Sequence, residues 1–166
     1  KKCIDIGCGG GRYSKYLHQM KANVLAIDKY QEMFDHSSNI NFVQCKMDNI
    51  PVVENSYYLA LSIGVIHNAI TIEEYKNSLK EIYRILNKDG YAILSTFTND
   101  VITSDLIKTG ENTYLIKDRP PMVLLSKEQI QDYVSKVGFT IIKIVDEHIT
   151  DVGSGKRNVY TILLKK

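Results

Sequence analysis

"CIDIGCGGGRYSKYL", Cys3–Leu17, sets four glycines into the five positions 7–11, just behind an acid, Asp5, and just ahead of a helical pattern. The short apolar run Cys3–Ile6 reads as a buried strand and Tyr13–Met20 as a helix. Strand, glycine turn and helix in that order open an α/β layered domain. The turn then lies at the carboxyl edge of the sheet, beside the crevice where such sheets bind ligands. Glycines at 7, 9 and 11 let the backbone turn tightly and come close to a ligand.

The alternation continues outward from this stretch. "ANVLAID", Ala22–Asp28, is a second buried-type strand ending on an acid, "INFVQCKM", Ile40–Met47, a third, and "YLALSIGV", Tyr58–Val65, a fourth. Thr71 and Glu74 have capping-box spacing, and Leu79, Ile82, Tyr83 and Leu86 recur at helical intervals as far as "NKDG" at 87–90. "YAILSTF", Tyr91–Phe97, is short and apolar enough for a central fifth strand. Ser126 with Gln129 repeats the capping box and opens a helix that Gly138 stops. "FTIIKIVDE" and "RNVYTILLK", separated by "HITDVGSGK", read as a terminal antiparallel hairpin. Residues 98–125 show no clear period, and a loop of that length in a compact domain reads as a lid or substrate-facing element. The pattern predicts one domain over residues 1–166, with no internal repeat or linker.

Composition narrows the classes. Hydrophobic residues make up 44% and charged residues 24%, as in a globular protein and unlike a disordered tail or a fibre. No apolar run approaches the roughly 20 residues that span a bilayer, and the opening "KKCIDIG" lacks a secretory pattern, so the expected location is cytoplasmic. The 3 cysteines, Cys3, Cys8 and Cys45, form no CxxC pair, so neither a disulfide framework nor a metal site is expected. Residues 1–97 hold eleven Lys/Arg against ten Asp/Glu, and residues 98–166 hold ten against nine. Nucleic-acid binders usually concentrate basic charge, and this chain spreads it evenly.

The glycine turn poses a chemical question. Such turns usually cradle phosphate, yet a carboxylate close by repels a bound anion by about a few kcal/mol in a partly buried site. The dinucleotide spacing G-x-G-x-x-G also fails, because the third glycine position is Arg12 counted from Gly7 and Ser14 counted from Gly9. A cation is welcomed instead. S-adenosylmethionine has no phosphate, carries a sulfonium and an ammonium, and still offers a ribose and an adenine. Asp28, closing the second strand, stands where an acid accepts from vicinal ribose hydroxyls. Asp48, after the third strand in "KMDNIP", is suited to the exocyclic amine of adenine. Singly, each acid also fits a cap or a solvated turn; at three successive strand ends the set is far more specific.

With these residues in register, the sequence resembles the class I S-adenosylmethionine-dependent methyltransferases along nearly its whole length. "DIGCGGG" resembles the family's first motif, D/E-x-G-x-G-x-G, through Asp5, Gly7, Gly9 and Gly11, and "AID" ending at Asp28 resembles the second. "MDNIP" is similar to the adenine-contacting segment, "LALSIGVIHNA" to the fourth strand with its cofactor-lining end, and "LKEIYRILNKDGYAIL" to the helix and fifth strand. Where the family usually has L-x-P-G-G, this chain has Asn87-Lys88-Asp89-Gly90, a change in a turn more than in a ligand contact. The resemblance implies a Rossmann-like three-layer sandwich, α/β, around a seven-stranded mostly parallel sheet with an antiparallel strand in the C-terminal hairpin. It implies S-adenosylmethionine as cofactor, and it extends the cofactor-contacting set to Cys8, Lys29, Asn49, Ser62 and Ile63. It also implies a covering helix before the first strand. The sequence opens four residues ahead of Asp5, so the expectation is either a longer chain or a more open site.

Methyl transfer is an in-line displacement with the nucleophile roughly 3 Å from the methyl carbon, so positioning supplies much of the acceleration. His67, just past the fourth strand, is the candidate catalytic base by position; a single histidine at a helix entrance is more often structural. Tyr13 is a candidate to close over the cofactor, and Tyr114 and Arg119 to touch substrate from the long segment. "ALSIGVIH" is similar to tRNA wobble-uridine methyltransferases, while the long segment with "LLSKEQIQDYVSKVGF" is more similar to small-molecule methyltransferases of the tellurite-resistance type. Balanced charge favours a small-molecule acceptor. An RNA methyltransferase and a non-catalytic module that binds the cofactor stay open beside it, and a nicotinamide oxidoreductase is disfavoured by Asp5 and the glycine spacing.

Overall fold

The first strand already separates two faces. With a period of two, Ile4 and Ile6 point one way and Cys3 and Asp5 the other, and each pair meets a different helical layer. The computed structural model describes residues 1–37 and 39–166. In chain order it runs β1 (Lys2–Ile6), α1 (Arg12–Gln19), β2 (Asn23–Asp28), β3 (Asn41–Gln44), β4 (Tyr57–Ile63), α2 (Ile72–Ile85), β5 (Leu86–Thr98), three short strands β6 (Ile107–Lys108), β7 (Thr113–Leu115) and β8 (Met122–Val123), then α3 (Lys127–Val137), β9 (Thr140–Asp151) and β10 (Lys156–Lys165).

Seven strands pair in the order β3-β2-β1-β4-β5-β10-β9. β10 is antiparallel to both neighbours and the first five strands pair in parallel. This is the expected Rossmann-like α/β sheet with its last strand inserted antiparallel. On one face Ile4, Ile6, Ala60, Leu94 and Ile162 pack with Leu79 and Ile82 of α2 and Ile130 and Val134 of α3. On the other, Cys3, Val24, Ala26 and Leu61 pack with Leu17 of α1 and with Phe34. Among the described residues no helix is long and apolar enough to cross a membrane.

The helix ends follow the capping chemistry read from the sequence. Ser126 accepts from the Gln129 N–H at 3.2 Å while the Gln129 side chain accepts from the Ser126 N–H at 3.0 Å, and Gly138 ends the helix in the left-handed region. Thr71 accepts from the Glu74 N–H, but the Glu74 carboxylate reaches one residue further back, to the Ile70 N–H at 2.8 Å.

Four boundaries differ from expectation. The third strand stops at Gln44, because the chain turns at Lys46–Asn49 to pass beneath α2, where Arg84 donates to the Ile50 and Val52 carbonyls. The fifth strand starts at Leu86, straight off α2, and residues 87–90 bulge out between the pairings Tyr57–Leu86 and Leu59–Tyr91. β9 runs through His148–Asp151, leaving only residues 152–155 as the hairpin turn. Residues 98–125 are built as an antiparallel sheet in the order β6-β7-β8 around Leu106, Tyr114, Ile116, Met122 and Leu124. Strands of two or three residues are too short to print a period on the sequence.

Gly138 sits at φ 118°, and a Cβ there would stand 2.9 Å from the Tyr83 ring. Gly138→Ala is expected to lower stability by about 1–3 kcal/mol through strain and overlap together, read as a fall in the urea midpoint without a change in slope.

Candidate active site

The loop after β1 is held from within. Gly7 and Cys8 both donate to the Ile27 carbonyl, at 2.8 and 3.0 Å, and Gly11 donates to Cys8 O at 2.8 Å. Gly9 donates to Asp28 Oδ2 at 2.8 Å, and the other Asp28 oxygen accepts from the Tyr30 N–H at 2.9 Å. Four of the amides that would cradle a phosphate are thereby already engaged. Asp5, on the α1 face of β1, is buried beneath the loop: its carboxylate accepts from the Ser14 hydroxyl at 2.6 Å and from the Ser14 backbone. It thus sets a negative charge against the first turn of α1, where the helix dipole favours an anion. Burial raises the Asp5 carboxyl above the usual carboxylate range, partly offset by the bonds from Ser14. Alternation along β1 turns Asp5 under the helix, so it acts from beneath the loop and not at the mouth of the turn.

Above the loop lies a cavity of about 410 Å³ at the carboxyl ends of β1, β2 and β4. Gly7, Gly9, Asp28, Lys29, Cys45 and Met47 line it together with Gly64, Val65, Asn68, Glu74 and the 119–122 turn. Gly7 has φ 69°, and a Cβ there would overlap the Val65 side chain, so that position admits only glycine. Asp28 spends one lone pair of each oxygen on a backbone amide and keeps the remainder toward the cavity.

These residues fit an adenosyl cofactor. Asp28 retains acceptor capacity for two vicinal hydroxyls, and Asp48, one residue past the lining Met47, has a buried Oδ1 with no partner among the described residues. Met33, Met47 and Tyr30 supply apolar walls. A diphosphate, by contrast, would meet Asp5 beneath the loop and inward-turned amides.

Residues 4–94 match the family model described as a methyltransferase domain. The chain belongs to that family. It is also 32% identical over 95 residues to the tRNA (carboxymethyluridine(34)-5-O)-methyltransferase ALKBH8 of Mus musculus, a match covering 54% of this chain and 14% of that protein. Among solved structures, an S-adenosylmethionine-dependent methyltransferase of Methanosarcina mazei superimposes with a TM-score of 0.86 at 17% identity, covering 99% of this chain and 92% of the other. A Burkholderia thailandensis 1,6-didemethyltoxoflavin-N1-methyltransferase, solved with its substrate and S-adenosylhomocysteine, gives 0.74 at 19% identity over 99% and 70% of the two chains. At those identities the two structures speak for the fold. The class I resemblance read from the motifs holds.

Within this methyltransferase domain the other candidates are dispersed. Cys8, Gly11, Asn49, Ser62 and Ile63 do not line the cavity, and Ser62 Oγ is buried without a partner among the described residues. Tyr13 is in a separate groove on α1 with Tyr16, Leu59 and Ile63. Tyr114 is buried in the core of the small sheet, whereas Arg119, five residues on, does line the cavity. Asn68 and Glu74, which line it too, were missed by sequence reading; Glu74 was legible only as a capping residue.

His67 does not face the cavity as a base. It is buried, stacks on Phe97 with ring centroids 4.1 Å apart, and its Nδ1 accepts the Phe97 N–H at 3.2 Å, which leaves the proton on Nε2. Burial, aided by the nearby Arg157 charge, pushes its pKa down to about 3 from 6.5. Between those two values the unfolded chain binds a proton that the folded one does not, so stability is whole above pH 6.5 and falls toward pH 3. His67→Gln is expected to flatten this acid limb, whose slope is at most about 1.4 kcal/mol per pH unit, in urea midpoints compared at several pH values from neutral downward.

Proposed function

We propose that this domain binds S-adenosylmethionine above the β1–α1 loop and transfers its methyl group to a small molecule held beneath residues 98–125. The observation that carries the reading is the Asp28 carboxylate, which ties Gly9 to the end of β2 and still faces the cavity. Bound there, the cofactor supplies a methyl group on a sulfonium, which needs an aligned nucleophile and a dry site.

The chain's own residues supply the rest. Asp28 accepts from the ribose hydroxyls, Asp48 Oδ1 from the adenine amine, and Gly7 and Gly9 let the backbone lie against the ligand. Arg119, Pro120, Pro121 and Met122 line the same cavity from the long segment, where they would flank the acceptor. A volume of about 410 Å³ lies within the usual range for small-ligand sites. The similarity to a tRNA methyltransferase favours a second reading, an RNA acceptor; the chain spans only 14% of that protein's length.

Asp28→Ala is expected to weaken S-adenosylhomocysteine binding by about 1–3 kcal/mol in calorimetric titration, with NAD giving no heat on the unaltered protein. An unchanged dissociation constant, or tight NAD binding, overturns the cofactor assignment. Bulk tRNA at low and moderate salt separates the acceptor classes: no retention at either is expected for a small acceptor, and salt-dependent retention would move the reading to RNA. Turnover of any acceptor in a methyl-transfer panel removes the non-catalytic alternative.

A further inference from the structure

A buried cation holds the root of the long segment. The Arg157 guanidinium, on β10, is fully buried, and two of its nitrogens fork onto the two Asp105 oxygens. Nη1 also donates to Thr103 Oγ1 at 3.1 Å and to the Lys156 carbonyl at 2.8 Å, while Nε has no partner among the described residues. The Thr103 hydroxyl accepts in addition from the Lys156 N–H at 3.3 Å. Residues 103 and 105 are thereby tied to the start of β10 by side chain and backbone together.

The hairpin turn before β10 is shaped to receive them. A Cβ on Gly155 would overlap both the Asp105 carboxylate and the Thr103 hydroxyl, and Arg157 fixes these short side chains, so neither can yield cheaply. Gly155 lies outside the left-handed region, so it is glycine for the room it leaves and not for its backbone. Gly153, two residues earlier, is the reverse case: its φ is 83°, and a Cβ there meets no atom of the described residues within 4 Å.

Of the three short strands, β8 enters the main core directly through Val123, with Leu125 just after it. Leu106, Tyr114 and Ile116 belong instead to the separate cluster with Met122 and Leu124. Leu106 follows Asp105, and its N–H donates to Thr103 O at 3.0 Å. The clamp therefore passes straight into that cluster and, through Ile116 and Met122, to both ends of the turn that lines the cavity. A segment held along one strand alone can swing about it, whereas a second attachment fixes its angle. A buried ion pair adds little net stability over an apolar contact; what a forked pair adds is direction.

We infer that Arg157 is a positioning residue for methyl transfer: through Thr103 and Asp105 it seats the 116–122 turn on the cavity, although it lines no part of the cavity itself. This rests on the reading of that cavity as the methyl-transfer site. Loss of the seat leaves Asp28, Asp48 and the glycine loop in place and opens the site on the side of Arg119 and Met122, where water then enters.

The test is hydrogen exchange read amide by amide, on the ligand-free protein and on the protein saturated with S-adenosylhomocysteine. Gly155→Ala and Arg157→Met are expected to speed exchange across residues 106–119 about tenfold or more, while the amides of β1 and β4 stay within about twofold. Gly153→Ala, which strains the same turn without reaching the segment, should leave residues 106–119 unchanged. Arg157→Lys, which keeps the charge but not the fork, should recover part of what Arg157→Met loses. In the unaltered protein S-adenosylhomocysteine is expected to slow exchange at the Arg119 and Met122 amides. In Gly155→Ala it should bind with an affinity within about threefold of the original and give no such slowing, a contrast that a role in hairpin stability alone would not produce. Unchanged exchange over 106–119 in Gly155→Ala, an equal effect from Gly153→Ala, core strands sped as much as the segment, or retained slowing at Arg119 and Met122 overturns the inference. Should Arg157→Met fail to fold, Gly155→Ala against Gly153→Ala decides it alone. Failure of the unaltered protein to bind S-adenosylhomocysteine sinks the cofactor reading instead, and the ligand-free comparison still judges the seat.

Discussion

The bond from the Gly9 N–H to the Asp28 carboxylate joins the first crossover of the sheet to the end of its neighbouring strand, and the shape of the cavity depends on it. Together with the Gly7 and Cys8 amides on Ile27 O, it engages the loop's donors within the protein. Beneath the same loop Asp5 caps α1 from the side, so the positive end of that helix is answered by the protein itself. A glycine turn that looks made for phosphate is thereby made for a ligand bearing hydroxyls and positive charge. The acid in its motif acts from below, through the loop, and not by contact at the mouth.

The roof is fastened at its roots. Thr98 bridges to Leu125, the Asn99 N–H reaches Leu125 O, and the buried Arg157 guanidinium on β10 pairs with Asp105 while Thr103 bonds to it. The Arg157 guanidinium also holds Asp105 below the usual carboxylate range. Charge removed from water at such a place is costly unless paired, so the pairing specifies one seating for the segment. Its far turn, at 116–122, is then the part that reaches the cavity. β10 carries this anchor because it is inserted between β5 and β9, beside the strand from which the segment departs.

Much of this was legible because it rests on local chemistry. The strand and helix order, the capping box at Ser126, the stop at Gly138 and the acids at the ends of β1 and β2 and after β3 all follow from patterns within a few residues. The short strands β6, β7 and β8 were not legible, since pairs of two or three residues are stabilised by the cluster around Leu124 and not by their own periodicity. Tyr114 and Arg119 were equal candidates in sequence, and packing separated them: an aromatic ring on an inward-facing strand position is buried, and a cation in a proline-stiffened turn is left at the cavity.

By itself the sequence determined the sheet order's class, the methyltransferase family and the chemical sign of the ligand, because glycine conformations, alternation and the spacing of acids are properties of neighbouring residues. Only the tertiary structure decided which side of the loop Asp5 serves, that His67 is locked to Phe97, and that Glu74, Asn68 and Arg119 face one cavity. Those facts depend on elements brought together from distant parts of the chain, and a side chain's protonation, partner and exposure are fixed by what packs against it.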